Sequence, residues 1–312
     1  MNEKNCAQVL LDGDGYLIVC HRNPDGDTTG SAAALCRGLR KIGRRAYVRD
    51  CASFTPRQRA MLSDLVTEEE DGLLPVFVDV AAPDMLCDEA RGLSAYMVID
   101  HHIANRVECD QKLVEPDAAA TGEIIFRLLA ELGAELDEKI AKALYIAIST
   151  DTGCFRFDNT TSETHRIAAE LLRYDFGLGA VNRMYFEEKT PAAMRLQGEL
   201  LAGLRLMHAD RIAAIYVGRE LRAKLGITED DLEDVSSLPR SIAGVEAGIT
   251  FKELPDLSGW KVSLRTSTAV DAAEVCAIFG GGGHARAAGC TLYGTADAVT
   301  DQLAEAIINK LK

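Results

Sequence analysis

Three short apolar runs end directly before acidic or imidazole side chains, and this recurrence constrains the fold more than any other feature. The runs are Tyr16–Cys20, Leu74–Val78 and Ala95–Ile99. Each has the length and apolar content of a buried strand. Segments typical of helices separate them, so the sequence predicts an α/β domain with a parallel sheet and flanking helices. The polar residues that follow the three strands are His21, Asp25, Asp27, Asp79, His101 and His102.

The loop after the first run has the composition of a metal-binding turn. Pro24 stops the strand, Gly26 permits a tight turn, and one imidazole and two carboxylates fall within seven residues, from His21 to Asp27. Taken alone, this loop is equally well explained as a polar cap for the following helix. Because the same pattern recurs at two further strand ends, we favour a site for Mn²⁺ or Mg²⁺.

A fourth acidic position follows a helix rather than a strand. Leu136, Ile140, Leu144 and Ile148 share a four-residue spacing that predicts one apolar helix face. The pattern stops just before Asp151, next to a glycine that can end a helix. Ligands in open parallel sheets bind beyond the carboxyl ends of the strands, so we expect Asp151 to join the strand-end residues there.

The length of 312 residues allows two domains, each with its own core. A polar joint at 187–191 suggests the division, and we predict a first domain over 1–186, a linker over 187–200 and a smaller α/β domain over 201–312. Helices are also predicted at Pro56–Val66 and Pro83–Ala90, and an acidic helical segment at Thr228–Val235.

Composition limits the partners. A net charge of −14 opposes binding of a long polyanion, and aromatic residues make up only 6% of the chain, so a long stacking track for single strands is not expected. We therefore expect no binding of long duplex nucleic acid. The sequence has no apolar run of about 18 residues and no signal-peptide pattern at its start, so we expect a cytoplasmic protein without a membrane partner. Nine scattered cysteines without a C-x-x-C pair fit reduced thiols.

The motifs H-x-x-P-D-x-D-x-x-G-S, V-D, D-H-H and S-T-D-T-G occur in this order. Together with G-G-G-H-x-x-A-A-G near the C-terminus, they resemble the DHH phosphoesterase superfamily with its DHHA1 domain. The resemblance implies two metal ions, Mn²⁺ with Mg²⁺ or Co²⁺ as substitutes. It assigns His21, Asp25 and Asp79 to one ion. It assigns Asp27, Asp79, His101 and Asp151 to the other, so that Asp79 bridges both and is catalytic. His102 faces the phosphate as a second catalytic group.

The second domain supplies candidates for holding an anionic substrate. Arg265 ends a predicted strand, and a glycine run can turn backbone N–H groups toward a phosphate. The resemblance favours this function over a flexible turn, with the active site in a cleft between the domains. The predicted substrate-binding residues are His102, Arg265, Gly281, Gly282, Gly283 and His284.

The expected activity is metal-dependent hydrolysis of short oligoribonucleotides, and of 3′-phosphoadenosine 5′-phosphate, to nucleoside monophosphates. A phosphodiesterase for cyclic or linear di-AMP is the alternative, since it would use the same metals with a different pocket. The glycine run disfavours a family II-type pyrophosphatase. The presence of a suitable ligand at every expected metal position disfavours an inactive nucleotide-binding regulator. Ile103 stands where many small family members have proline, which leaves the subfamily open. The sequence is compatible with a homodimer and leaves the oligomeric state open.

Overall fold

A computed structural model describes residues 1–232 and 235–311 of the chain. The chain forms two compact units, Met1–Glu188 and Lys189–Lys312. Each unit is built around one six-stranded sheet. Within the described residues, no helix is long and apolar enough to cross a membrane.

The sheet of the first unit is parallel throughout, with strand order β3-β2-β1-β4-β5-β6. This order reverses direction between β1 and β4, as in doubly wound folds, and such a reversal opens a crevice at the carboxyl ends of the strands. The strands are β1 (Gly15–Val19), β2 (Arg45–Arg49), β3 (Val66–Thr67), β4 (Leu74–Val78), β5 (Met97–Asp100) and β6 (Gln111–Val114).

Helices cover this sheet, and the most extensive helix packing joins α2 to α5. Gly30 permits that packing, because a Cβ there would lie only 2.4 Å from the carbonyl oxygen of Ala143. The helices are α1 (Glu3–Asp12), α2 (Gly26–Lys41), α3 (Pro56–Leu62), α4 (Thr121–Glu131), α5 (Glu138–Asp151), α6 (Ser162–Leu171) and α7 (Leu178–Asn182), followed by a π-helical turn at Arg183–Glu187.

The second unit has a mixed sheet with strand order β11-β12-β10-β9-β8-β7, in which only β8 and β9 pair in parallel. Its main core lies on the sheet face formed by Phe251, Val262 and Leu264. Its elements are α8 (Pro191–Ala202), β7 (Arg205–Met207), β8 (Ile212–Val217), α9 (Arg219–Leu225), β9 (Ala247–Glu253), β10 (Gly259–Thr266), α10 (Ala272–Ile278), β11 (Gly282–His284), β12 (Ala287–Tyr293) and α11 (Ala296–Ile308).

The α/β class and the parallel first sheet are confirmed, but several local predictions were wrong. The predicted helix Pro83–Ala90 is two separate 3₁₀ turns, Pro83–Met85 and Asp88–Ala90. The helix predicted over Pro56–Val66 ends at Leu62, because Val66 pairs with Val48 at the sheet edge. Tertiary pairing therefore overrides local helix propensity here. Helix α1 and strand β6 were not predicted.

The predicted linker over 187–200 stays a prediction. In the structure, Pro191–Ala202 is a helix whose Leu196 and Leu200 pack against Ile215 and Val217 of the second unit. The predicted acidic helix at Thr228–Val235 is represented by 3₁₀ turns at Asp230–Leu232 and Val235–Ser237. Positions 233 and 234 lie outside the described residues.

Candidate metal centre and the Arg265 face

The candidate metal centre lies at the carboxyl ends of neighbouring strands in the first unit. His21 follows β1, Asp79 follows β4, and His101 follows β5, and these strands are adjacent in the sheet. The reversal of strand order falls between β1 and β4, so His21 and Asp79 flank the crevice where such sheets bind ligands. Strand order thus brings together residues that are far apart in sequence.

Asp79 has an unusual backbone conformation. Its φ angle is 60°, in the left-handed region that non-glycine residues seldom adopt, and the residue is buried. Its side chain consequently leaves the strand direction at the point where His21 and His101 also converge. A backbone strained in this way persists only where surrounding interactions hold it, and such residues concentrate at functional sites.

Two groups of potential metal ligands surround Asp79, and a third overlaps them. In each, the donor atoms lie within 4.8 Å of one another: the first group is His21, Asp25 and Asp79, the second is Asp27, His101 and Asp151, and the third combines Asp79 and His101 with His102. His21 Nε2 lies 3.6 Å from Asp25 Oδ2 and 3.5 Å from Asp79 Oδ2. These separations are long for hydrogen bonds but fit two ligands of one ion, each about 2.1 Å from it.

His101 links the second group to Asp79. Its Nε2 atom lies 3.4 Å from Asp151 Oδ2, 3.9 Å from Asp27 Oδ2 and 3.7 Å from Asp79 Oδ1. The opposite ring nitrogen, Nδ1, lies 3.2 Å from the carbonyl oxygen of Ala118. This contact places the proton on Nδ1 and leaves Nε2 free to bind a metal. The two oxygens of Asp79 therefore face different ligand groups, which is the geometry of a bridging carboxylate.

The N-terminus of α4 holds two of the carboxylates in position. Asp27 Oδ2 accepts a hydrogen bond from Thr121 N at 2.7 Å, and Oδ1 accepts from Gly122 N at 3.0 Å and from Ser31 Oγ at 3.0 Å. The Thr121 hydroxyl also donates to Asp79 Oδ1 at 3.0 Å. The partial positive charge of a helix N-terminus favours carboxylates there. Thr121 thus fixes one ligand from each group.

His102 has a different environment from His101. Its Nδ1 donates to Asp100 Oδ1 at 2.8 Å, so this nitrogen is engaged, although it also lies 3.5 Å from Asp79 Oδ1. Asn105 donates to the other oxygen of Asp100 at 2.7 Å. The hydrogen bond with Asp100 raises the pKa of His102 to about 9, against the opposing effect of burial. The contact with Asp100 therefore favours the protonated form of His102.

The electrostatics of the metal centre favour binding of cations. Burial, followed by repulsion from Asp79, Asp151 and Asp25, raises the pKa of Asp27 well above its usual value. Burial likewise raises the pKa of Asp151 to about 6. Burial opposes protonation of His21, but its contacts with Asp25 and Asp79 outweigh this effect and raise its pKa to about 10. Buried carboxylates that repel one another are stabilised by divalent ions, so the donor set fits metals with oxygen and imidazole ligands.

In the second unit, strand register places Arg265 and His284 on one face of the sheet. Arg265 pairs with Gly248 on one side and Ala287 on the other, and Ala287 pairs with His284. Directly paired residues of neighbouring strands point to the same face. We call this row, made of Gly248, Arg265, Ala287 and His284, the Arg265 face. Its two basic side chains are separated only by the methyl group of Ala287.

The glycine run forms a turn and the edge strand β11. The N–H groups of Gly280 and Gly281 donate to the carbonyl oxygens of Ala277, at 3.1 Å, and Cys276, at 2.9 Å, in α10. These two groups are therefore occupied by the end of α10. A Cβ at Gly281 would meet Gly289 O at 2.2 Å, whereas one at Gly282 would meet nothing within 4 Å.

Comparison with known proteins identifies both units. Residues 16–148 match the N-terminal domain of the DHH family, and residues 210–312 match the DHHA1 domain. The chain is 33% identical to the bifunctional oligoribonuclease and PAP phosphatase NrnA of Thermus thermophilus, over 98% of this chain and 93% of the relative. The chain belongs to the DHH family of phosphoesterases. The family's enzymes depend on metal ions, and the ligand groups around Asp79 could bind them.

Other comparisons agree with this membership of the DHH family. The NrnA protein of Bacillus subtilis is 27% identical, covering 88% of this chain and 89% of the relative. The crystal structure of an exopolyphosphatase-related protein from Bacteroides fragilis superposes with a TM-score of 0.89 at 23% identity, covering 98% of this chain and 96% of that one. The latter similarity establishes the fold.

Sequence reasoning missed the residues of this DHH protein that support the ligands. Five side chains donate hydrogen bonds to the candidate ligands or orient them: Ser31, Asp100, Asn105, Thr121 and Asn159. The side-chain amide of Asn159 donates to the carbonyl oxygens of Ala119 and Asp151. Asp100 and Ser31 carried a signal, since Asp100 is the first residue of D-H-H and Ser31 ends the motif H-x-x-P-D-x-D-x-x-G-S. The others gave none, because their roles depend on contacts that the motifs do not include.

Proposed function

We propose that this DHH phosphoesterase hydrolyses short oligoribonucleotides, and 3′-phosphoadenosine 5′-phosphate, to nucleoside monophosphates with two Mn²⁺ ions. The observation that carries the proposal is the pair of ligand groups around Asp79, one on each side of its carboxylate. The names of the relatives in Thermus thermophilus and Bacillus subtilis support the choice of substrates.

In this proposal, His21, Asp25 and Asp79 hold one ion, and Asp27, Asp79, His101 and Asp151 hold the other. Bound ions of this kind supply Lewis-acid activation of water and neutralise charge on the phosphate. Four carboxylates are balanced by two divalent cations, so the centre itself adds little net charge. An incoming phosphate therefore needs additional positive groups from the protein.

His102 supplies one such group at the centre. Its hydrogen bond to Asp100 fixes the ring and keeps Nδ1 protonated, so that Nε2 can donate a proton or a hydrogen bond to a phosphate oxygen. Asn105 holds Asp100 from the opposite side. We propose that His102 is the catalytic side chain that contacts the reacting phosphate.

Arg265 and His284 provide the remaining positive groups in this proposal. Burial and repulsion from Arg240 lower the pKa of Arg265, so its charge is incompletely compensated. Among the described residues, its recorded side-chain hydrogen bond goes to the carbonyl oxygen of Leu264 at 3.2 Å, which leaves most of the guanidinium available. A guanidinium binds phosphate through two parallel hydrogen bonds, and Gly282 and Gly283 permit close approach of the backbone.

A comparison of substrates tests the proposal. Turnover would be measured with Mn²⁺ for RNA of two to 24 residues, 3′-phosphoadenosine 5′-phosphate, linear and cyclic di-AMP, and pyrophosphate. We expect the highest kcat/KM for the shortest RNA and a steep fall with length, because the net charge of −14 repels long polyanions. Equal efficiency on a 24-residue RNA at moderate salt would contradict the proposal. A clear preference for cyclic di-AMP would favour the alternative phosphodiesterase.

A further inference from the structure

Two cysteines of the first unit lie together outside the metal centre. The donor atoms of Cys51, Cys87 and Glu89 are within 4.8 Å of one another, and both cysteines are buried, with exposures of 2% and 5%. Helix α3, strands β3 and β4 and a 3₁₀ turn separate them along the chain, so their proximity results from the fold. The proposed function assigns them no role.

Contacts around Cys51 favour a thiolate. The Ser53 hydroxyl lies 2.9 Å from the Cys51 sulfur, and the Cys87 sulfur lies within 4.8 Å of it. The interaction with the Cys87 thiol lowers the pKa of Cys51 to about 6, and Ser53 adds to the effect. The same interaction raises the pKa of Cys87. A thiol of lowered pKa therefore lies beside one of raised pKa, which is the arrangement needed for one cysteine to react and the other to resolve the product.

The two segments that carry these cysteines form hydrogen bonds with the residues around His21, just after the end of β1. Ser53 Oγ donates to the carbonyl oxygen of Arg22 at 2.7 Å. On the other side, Arg22 N donates to Met85 O at 2.6 Å, and His21 forms a β-bridge with Leu86. A change in the distance between Cys51 and Cys87 would therefore act on both segments that hold the candidate ligand His21.

We propose that Cys51 and Cys87 form a dithiol that peroxide oxidises to an internal disulfide, and that the disulfide weakens metal binding by displacing His21. Within the described residues, this group offers three donors, and Glu89 also accepts a hydrogen bond from Ala52 N at 3.0 Å. Structural zinc sites have four protein ligands, so the group fits a redox pair better than a zinc site.

The chemistry balances with hydrogen peroxide as the oxidant. The Cys51 thiolate attacks one peroxide oxygen, the O–O bond breaks, and hydroxide leaves and is protonated to water, which gives a sulfenic acid on Cys51. The Cys87 sulfur then attacks the Cys51 sulfur, the S–O bond breaks, and the leaving hydroxide takes the Cys87 proton as a second water. In total, the two thiols lose two hydrogen atoms and one peroxide becomes two waters.

Disulfide mapping of the full chain tests the first part of the proposal. Reduced protein would be treated with hydrogen peroxide, blocked with iodoacetamide, digested and analysed by mass spectrometry. We expect a Cys51–Cys87 linked peptide in the wild type that a dithiol reductant removes. The double variant Cys276→Ser/Cys290→Ser is the matched control, because it removes a second pair of adjacent thiols in the other unit and should leave the link intact.

Metal binding tests the second part. Calorimetry should give a Kd for Mn²⁺ that is about 10-fold weaker in the oxidised wild type, the lower end of the range for disturbed supports of metal ligands. Peroxide should leave the Kd of Cys87→Ser unchanged. Absence of the link, a link without a change in Kd, or a stoichiometric zinc ion that both Cys51→Ser and Cys87→Ser lose would each overturn the proposal. Mapping of the wild type decides the first part even if a variant fails to fold.

Discussion

The metal centre and the Arg265 face hold their side chains in opposite ways. In the metal centre, Asp27 and Asp79 are 1% and 2% exposed, and main-chain and hydroxyl donors fix their oxygens. On the Arg265 face, His284 is exposed and Arg265 is half-buried with one recorded hydrogen bond, to the carbonyl of its own neighbour. The first arrangement has little freedom to adjust, whereas the second can adapt to a ligand.

The two regions also differ in the sign of their charge. Carboxylates repel one another in the metal centre, which raises the pKa of Asp27, whereas Arg240 repels Arg265 and contributes to lowering its pKa. Each region concentrates charges of one sign, and burying such charges costs free energy unless a group of opposite charge binds them. We expect the first unit to bind cations through fixed oxygens and the second to bind anions through side chains that can adapt, and the following substitutions test this division.

The largest effect is expected for Asp79→Ala. Asp79 faces both ligand groups, so its loss should remove both metal ions and lower turnover by orders of magnitude. Metal analysis and kinetics on a dinucleotide would measure both effects. A variant that keeps two ions and near wild-type activity would show that Asp79 does not bridge them.

Arg265→Ala should weaken substrate binding without affecting the metals. A charge-assisted hydrogen bond is worth about 1.5–3 kcal/mol, so kcat/KM on a dinucleotide should fall about 10- to 150-fold. A small ester such as bis-p-nitrophenyl phosphate should be much less affected. The exposed Arg195 on α8 offers a control, and Arg195→Ala should change neither substrate. Equal losses on both substrates with a lower Tm would assign Arg265 to stability instead.

Thr121→Val tests whether rigid support matters in the metal centre. The substitution keeps the shape of the side chain but removes the donor to Asp79 Oδ1. Metal affinity should fall about 10-fold or somewhat more, since groups that orient metal ligands contribute about 10- to 100-fold. Thr300→Val is a matched control, because Thr300 is also a buried helical threonine but lies in the second unit. Unchanged Mn²⁺ affinity in Thr121→Val would show that the main chain alone positions Asp79.

A pair of glycine substitutions, one just before β11 and one within it, separates packing from ligand contact. Gly281→Ala brings a Cβ against backbone at 2.2 Å and should cost about 1–3 kcal/mol of stability, whereas Gly282→Ala has open space and should leave the Tm unchanged. If the backbone at Gly282 approaches a phosphate, Gly282→Ala should still raise the KM for a dinucleotide. An unchanged KM would exclude Gly282 from the substrate site.

The smallest effect concerns pH. Since the hydrogen bond to Asp100 raises the pKa of His102 from 6.5 to about 9, its contribution to stability is complete below about pH 6.5 and is lost as the pH rises through about 9. Deprotonation should lower kcat/KM over the same upper range. In Asp100→Asn, the decline should begin at lower pH. NMR titration of His102 with kinetics would measure both shifts, and identical profiles would exclude the Asp100 contact as their cause.

Local patterns in the sequence were sufficient to predict the strand ends and the chemistry of the residues placed there. The apolar runs that stop at His21, Asp79 and Asp100 are local signals, because a run of consecutive apolar residues is enough to indicate a buried strand and where it ends. The glycine run predicted N–H groups turned toward a phosphate, and this stays a prediction; what the structure shows is a close approach of Gly281 to the backbone of β12.

Which of these strand ends meet, and which residues hold them in place, depends on contacts that form only in the folded chain. The strand order, the contacts of Thr121 with Asp27 and Asp79, and the pairing of Cys51 with Cys87 join segments that are far apart in the chain. Strand β3 and the 3₁₀ turns around Cys87 also depend on such neighbours, which is why local propensity mispredicted them. Hydrogen bonds and charge interactions form between residues that are close in space, whereas sequence patterns show only which residues are close along the chain.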